Sequence, residues 1–217
     1  MKVPFLWYTF GKRVMKMENK KQKKSFGKQI LLFCCFAILI GAFIFLGTRN
    51  YSVKEIPDNQ LFQKEYKNVR LDNSFHVFNS VECLTFLEKE TGILFLGFPE
   101  NEWSHVVAEM LDTASLEMGF QYLNYFNFYL ERERRHDNYL GILREIDENL
   151  RKNDKGKLDL YAPTVIGVVR GNVVFFDDET TFSMNNDTIK SYWTSEKKRE
   201  KIELYKQVMR QINEELS

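Results

Sequence analysis

Apolar residues recur along this chain with two distinct periods, and the alternation between them lays out a fold. After Asn79-Ser80, which offers a helix N-cap, Val81, Leu84 and Leu87 follow at helical spacing, and Gly92 marks the stop. The run 93–98 is short and continuously apolar, which predicts a buried strand. Trp103, Val106, Val107, Met110, Leu111, Ala114 and Met118 then repeat at three and four residues, a helix closed by Gly119. Residues 120–128 alternate aromatic and polar side chains and read as a strand. The charged run 129–137 reads as a solvated connection. Tyr139, Ile142, Leu143, Ile146 and Leu150 form another apolar stripe, and Asn153 to Gly156 a turn.

Two β-rich runs, ending at Val169 and Phe176, flank Arg170-Gly171-Asn172, a hairpin signal. Residues 180–194 are polar and loop-like. Ser195 caps a last helix with Ile202, Tyr205, Val208, Met209, Ile212 and Leu216 on one face. The predicted order is helix, strand, helix, strand, helix, strand, strand, helix. The first β-α-β unit implies parallel neighbours, and the closing hairpin an antiparallel edge, so an α/β fold with a mixed central sheet flanked by helices is expected. A short extended lead-in at Phe75-His76-Val77-Phe78 precedes it. Residues 49–74 mix polar residues with scattered aromatics and read as a stalk.

The segment 29–48 carries no charge. At 1.5 Å rise per residue, roughly 20 residues cross the hydrocarbon core of a bilayer. A single helix also satisfies its own backbone in lipid. This segment is therefore expected to be one transmembrane helix. Its apolar length and the lack of an A-x-A-like site favour an uncleaved signal anchor over a cleaved peptide.

Charge changes the picture next. Of 31 Lys/Arg and 30 Asp/Glu residues, nine and one fall in residues 1–28, so that segment carries +8 and the remainder −7. A basic tail before an apolar span keeps the N-terminus cytoplasmic and sends residues 49–217 outside. The acidic body speaks against nucleic acid and for a lipid bilayer as the basic tail's neighbour. Residues 1–10 are apolar and aromatic, and fit either an interfacial segment or a plain tail.

Candidate chemistry is sparse. The cysteines are Cys34, Cys35 and Cys83, and the first two lie within the apolar span. One thiol in the body allows neither a disulfide there nor a cysteine-based zinc site. Cys83 is either a small buried hydrophobe or a lone redox thiol. His76, His105 and His136 show no metal-ligand spacing, and there is no P-loop or dinucleotide fingerprint, so no metal or cofactor is expected. Ser104 and His105 are adjacent on a helix and diverge, which speaks against a Ser-His pair.

Two local features carry a family resemblance. Gly97-Phe98-Pro99 leads from the strand into the helix through Asn101-Glu102-Trp103-Ser104, and Tyr161-Ala162-Pro163-Thr164 leads into the hairpin. Residues 75–217 resemble the thioredoxin-like proteins, in particular the small Gram-positive ones that include bacteriocin transport accessory proteins, whose motif reads much like G-x-P-x-C-P-W-C. The resemblance puts Asn101 and Ser104 in the two cysteine places, Glu102 in that of the inner proline and Pro163 in that of the cis proline facing the motif. It implies a thioredoxin-like fold behind one N-terminal transmembrane helix, with a degenerate C-x-x-C.

Thiol–disulfide exchange needs a thiolate and a resolving sulfur, and both are missing here. Asn and Ser can use the helix N-terminus only as neutral caps. Two readings follow. In the first, the chain is not an enzyme but a binding or accessory module for an exported peptide or a transporter subunit. Its groove, by resemblance, would be lined by Phe98, Trp103, Tyr161, Ala162, Pro163 and Thr164. In the second, it is an oxidoreductase acting through Cys83. The expected organisation is a basic cytoplasmic tail (1–28), a membrane anchor (29–48), a stalk (49–74) and a thioredoxin-like domain (75–217).

Overall fold

The computed structural model describes residues 56–179 and 188–217. The tail 1–28, the expected span 29–48, and with them Cys34 and Cys35, lie outside the described residues. No helix among the described residues is long and apolar enough to cross a membrane. In chain order the elements are α1 (Asp58–Glu65), β1 (Phe75–Val77), α2 (Ser80–Lys89), β2 (Gly92–Gly97), α3 (Glu102–Met118), β3 (Leu123–Asn127), α4 (Tyr129–Arg134), α5 (Asp137–Glu145), a 3-10 turn (Asp147–Asn149), β4 (Arg151–Lys152), β5 (Leu158–Asp159), β6 (Thr164–Val169), β7 (Asn172–Asp177), α6 (Ile189–Tyr192) and α7 (Ser195–Leu216).

Five strands form a mixed sheet in the order β1-β3-β2-β6-β7. β1 and β2 run parallel to β3, and β6 and β7 join antiparallel. β2 is buried along its whole length because both faces are covered. Ile93 and Phe95 face one core with α1, α3 and α7; Leu94 and Leu96 face the other with α2 and α5. β3 divides the same way, with Leu123 and Tyr125 on the first side and Phe126 on the second. The mixed α/β sheet expected from the alternating periods is therefore present. β3 itself is shorter than the aromatic run 120–128.

α7 approaches β6 closely. A Cβ at Gly167 would meet Val208 Cγ1 at 3.1 Å and Phe175 Cβ at 3.0 Å, so the absence of a side chain sets the helix-to-sheet spacing. Arg170 and Gly171 (φ 49° and 78°) make the tight β6–β7 turn. Its tip docks under α2, where the Gly171 amide donates to the Glu90 carbonyl at 3.0 Å.

Four expectations need correction. Residues 56–74 do not form a stalk: Phe62, Tyr66 and Val69 are buried in the first core. The Phe62 ring stacks on Phe75, and Tyr66 meets Phe95 and Tyr125 edge-on. Burying a side chain such as Phe62 contributes about 2–3 kcal/mol, enough to hold a short polar helix in place. The buried face of α2 is Cys83, Phe86 and Leu87, while Val81 is exposed; the helix is capped by Asn79 and ends before Gly92, which opens β2. The charged run 129–137 holds the one-and-a-half-turn α4. Within the expected polar loop 180–194, α6 forms and Tyr192 and Trp193 are buried.

Candidate functional site

β2 and β6 pair antiparallel with Leu96 opposite Thr164. That register brings the end of β2 beside the start of β6, and so brings Phe98–Asn101 against Tyr161–Pro163. Asn101 is the N-cap of α3, with extended backbone, and its Oδ1 accepts from the Trp103 amide at 2.9 Å. Its Nδ2 donates to the Ala162 carbonyl at 2.9 Å. One amide side chain thus caps the helix and ties the two loops together. The Ala162–Pro163 peptide bond is cis. Thr164 Oγ1 donates to the Tyr161 carbonyl at 2.7 Å, closing the second loop.

Ser104 is not on the rim. It is fully buried, and its Oγ has no hydrogen-bond partner. It faces β2: a Cβ on Gly97 would lie 3.2 Å from that oxygen. Ser104, Val107, Ala108 and Leu111 share one buried face of α3. That spacing of three, four and seven was the available signal for its burial. Glu102 is exposed on the first turn.

The expected groove residues separate into two groups. Phe98 and Ala162 belong to the second core, and Pro163 and Thr164 are buried beside them. Trp103 lies on the other side of the sheet, half-buried, its ring 5.4 Å from that of Tyr192. Tyr161 is half-buried next to the Asn101–Ala162 bridge. Burial, then the charges of Asp159 and Asp154, raise its hydroxyl above the usual tyrosine range.

His105 is half-buried, and its Nε2 donates to the Pro99 carbonyl at 2.8 Å while the ring rests 5.0 Å from Tyr66. This staple fixes the loop ahead of α3. Cys83 is completely buried on α2, and burial pushes its thiol up. A protonated, inaccessible thiol is a poor nucleophile. No cluster of three or more metal-ligating side chains occurs among the described residues.

Sequence reasoning passed over Arg132. Its guanidinium carbon sits 5.3 Å from the Phe98 ring centroid, 5.6 Å from Phe128 and 5.9 Å from Tyr129. The aromatic pair Phe128-Tyr129 at the head of the charged run was the visible sign that this segment packs on the loop.

No family model matches the chain, and no curated protein and no solved structure matches it.

Proposed function

We propose that this chain is a thioredoxin-like protein without thiol chemistry, anchored by its N-terminal apolar segment, whose folded body works outside the cytoplasmic membrane as a binding or accessory module for an exported peptide or a transporter subunit. The strand order β1-β3-β2-β6-β7, with the motif loop at the end of β2 and Pro163 beside it, supports the thioredoxin-like reading.

The observation that carries the proposal is Asn101. Where the resemblance expects an attacking thiol stands a neutral amide, already engaged by Trp103 and Ala162. It is neither a nucleophile nor a leaving group, and buried Ser104 supplies no resolving sulfur. The arrangement can hold a partner by surface contact and cannot exchange disulfides. Burial of Cys83 speaks against the oxidoreductase reading.

A photo-cross-linking side chain placed at Tyr161, in the full chain in its own membrane, tests this function. The proposal expects adducts with an exported peptide or a transporter subunit. Adducts with lipid alone would overturn it.

A further inference from the structure

β1, β2 and β3 are parallel and end on the same side of the sheet. Ligands of open α/β sheets gather beyond the carboxyl ends of such strands. Two cavities follow α2, and the first of them lies at this end. One, of about 490 Å³, opens between the β3–α4 turn, the head of α2 and Glu100. The other, of about 510 Å³, runs along α2 to the opposite end of the sheet, where Thr91 and Tyr122 precede β2 and β3. Phe78, just past β1, lines both.

The walls are apolar and acidic. Leu130 and Tyr129 stand on the first cavity at 58% and 37% exposure, unusually open for side chains of their size. The charged lining groups are Glu100 and Glu131 in the first, and Glu82 and Glu90 in the second, where His76 is the other titratable side chain. Among the described residues, no lysine or arginine lines either cavity. Glu100 and Glu90 make no ion pair among the described residues. Arg132 of α4 turns instead onto the rings of Phe98, Phe128 and Tyr129. The head of α2 offers an anion little, because Asn79 Oδ1 already accepts from the amides of Val81 and Glu82.

We infer that the two cavities receive a peptide segment in which cationic and apolar residues alternate. Lysine or arginine side chains face Glu100 and Glu90, and apolar ones cover Phe78 and Leu130. Charge complementarity selects this occupant, since a cation gains from carboxylates that no cation among the described residues pairs, while an anionic segment is repelled. The inference rests on the binding-module reading and gives it a partner chemistry. The site lies on the far side of Pro99–Glu100 from the Asn101–Ala162 bridge.

The full chain in nanodiscs of neutral lipid, with empty nanodiscs as baseline, is titrated with three labelled short peptides and followed by fluorescence anisotropy. The peptides alternate lysine with leucine, glutamate with leucine, and lysine with serine. The lysine–leucine peptide is expected to bind tightest, and Glu100→Gln with Glu90→Gln to weaken it about tenfold, two modest charge contacts at their usual worth. Leu130→Asn is expected to weaken it as well. Equal binding of the glutamate–leucine peptide, or an unaltered affinity in the double glutamine variant, would overturn the inference. Self-association of the chain lost in the same variant would also overturn it, naming a second copy as occupant. So would peptide binding that appears only after removal of residues 1–28, naming the chain's own basic segment. Cross-linking of a partner at Tyr161 together with no cationic preference would leave the binding-module reading standing and sink this inference alone.

Discussion

Asn101 and Ala162, 61 residues apart, are joined side chain to backbone: Asn101 Nδ2 donates to the Ala162 carbonyl at 2.9 Å. The same side chain accepts from the Trp103 amide. Asn101→Ala removes both bonds and is expected to lower stability by about 1–2 kcal/mol. Asn101→Ser keeps a cap but is too short for Ala162, and should recover about half of that loss. Urea unfolding followed by tryptophan fluorescence measures both. An alanine variant that unfolds at the wild-type urea concentration would show that the bridge contributes nothing.

Ser104 gives a prediction of the opposite sign. Its hydroxyl is buried and unpartnered, so its desolvation is uncompensated. Ser104→Ala should be neutral or stabilise the fold by up to about 1 kcal/mol. A loss of stability in thermal unfolding would mean the oxygen has a hydrogen-bonding role.

Lys201 ties α7 to the end of β7. It is buried, and its Nζ lies 3.1 Å from Asp177 Oδ2 and 2.5 Å from Glu179 Oε2. Tyr205 donates to Asp177 at 2.9 Å and Tyr192 to Glu179 at 2.6 Å. Burial alone would lower the Lys201 ammonium, but Asp177 and Glu179 outweigh it and hold it above its ordinary 10.5. Burial would likewise raise the Glu179 carboxyl, and the bonds from Lys201 and Tyr192 outweigh that and hold it below its ordinary 4.5. The lysine contribution is therefore complete below 10.5 and lost as pH rises through its raised value. The Glu179 contribution is complete above 4.5 and lost as pH falls through its lowered value. Lys201→Met should cost about 2 kcal/mol at neutral pH, since it strands the half-buried Asp177 while Glu179 stays half in water. It should also flatten the acid-side fall in melting temperature. An unchanged acid slope would contradict the assignment.

Cys83 should be silent to thiol reagents in the native protein. With Cys34→Ser and Cys35→Ser in place, 5,5′-dithiobis(2-nitrobenzoate) is expected to label it only after denaturation, because it is fully buried. Rapid stoichiometric labelling of the folded chain would restore the oxidoreductase reading.

The sheet was legible in the sequence because strands covered on both faces leave short, wholly apolar runs, as at Ile93–Leu96, and the hairpin because Arg170-Gly171 sits between two such runs. α1 was missed because it buries a single residue, Phe62, in an otherwise polar stretch, so no apolar stripe announces it. On α2 only Val81 was misplaced: it stands exposed on the first turn, while Leu87 and Cys83, a thiol that buries as readily as an aliphatic side chain, are buried. At the site, the meeting of Asn101 with the Ala162 loop depends on the pairing of β2 with β6, a long-range register that no local pattern encodes. Ser104's burial was written in its spacing to Val107 and Leu111, but a polar residue at a motif position draws the eye to chemistry first.

We propose that Asn101 and Ser104 occupy the two thiol places of a thioredoxin-like motif. Asn101→Cys with Ser104→Cys, made in a chain whose Cys34, Cys35 and Cys83 are serine, tests it through thiol titration and intact mass of the folded protein before and after reductant. An intramolecular disulfide between the new cysteines, formed in air and opened by dithiothreitol, is expected. Two free thiols that persist under oxidant in a folded chain would contradict it.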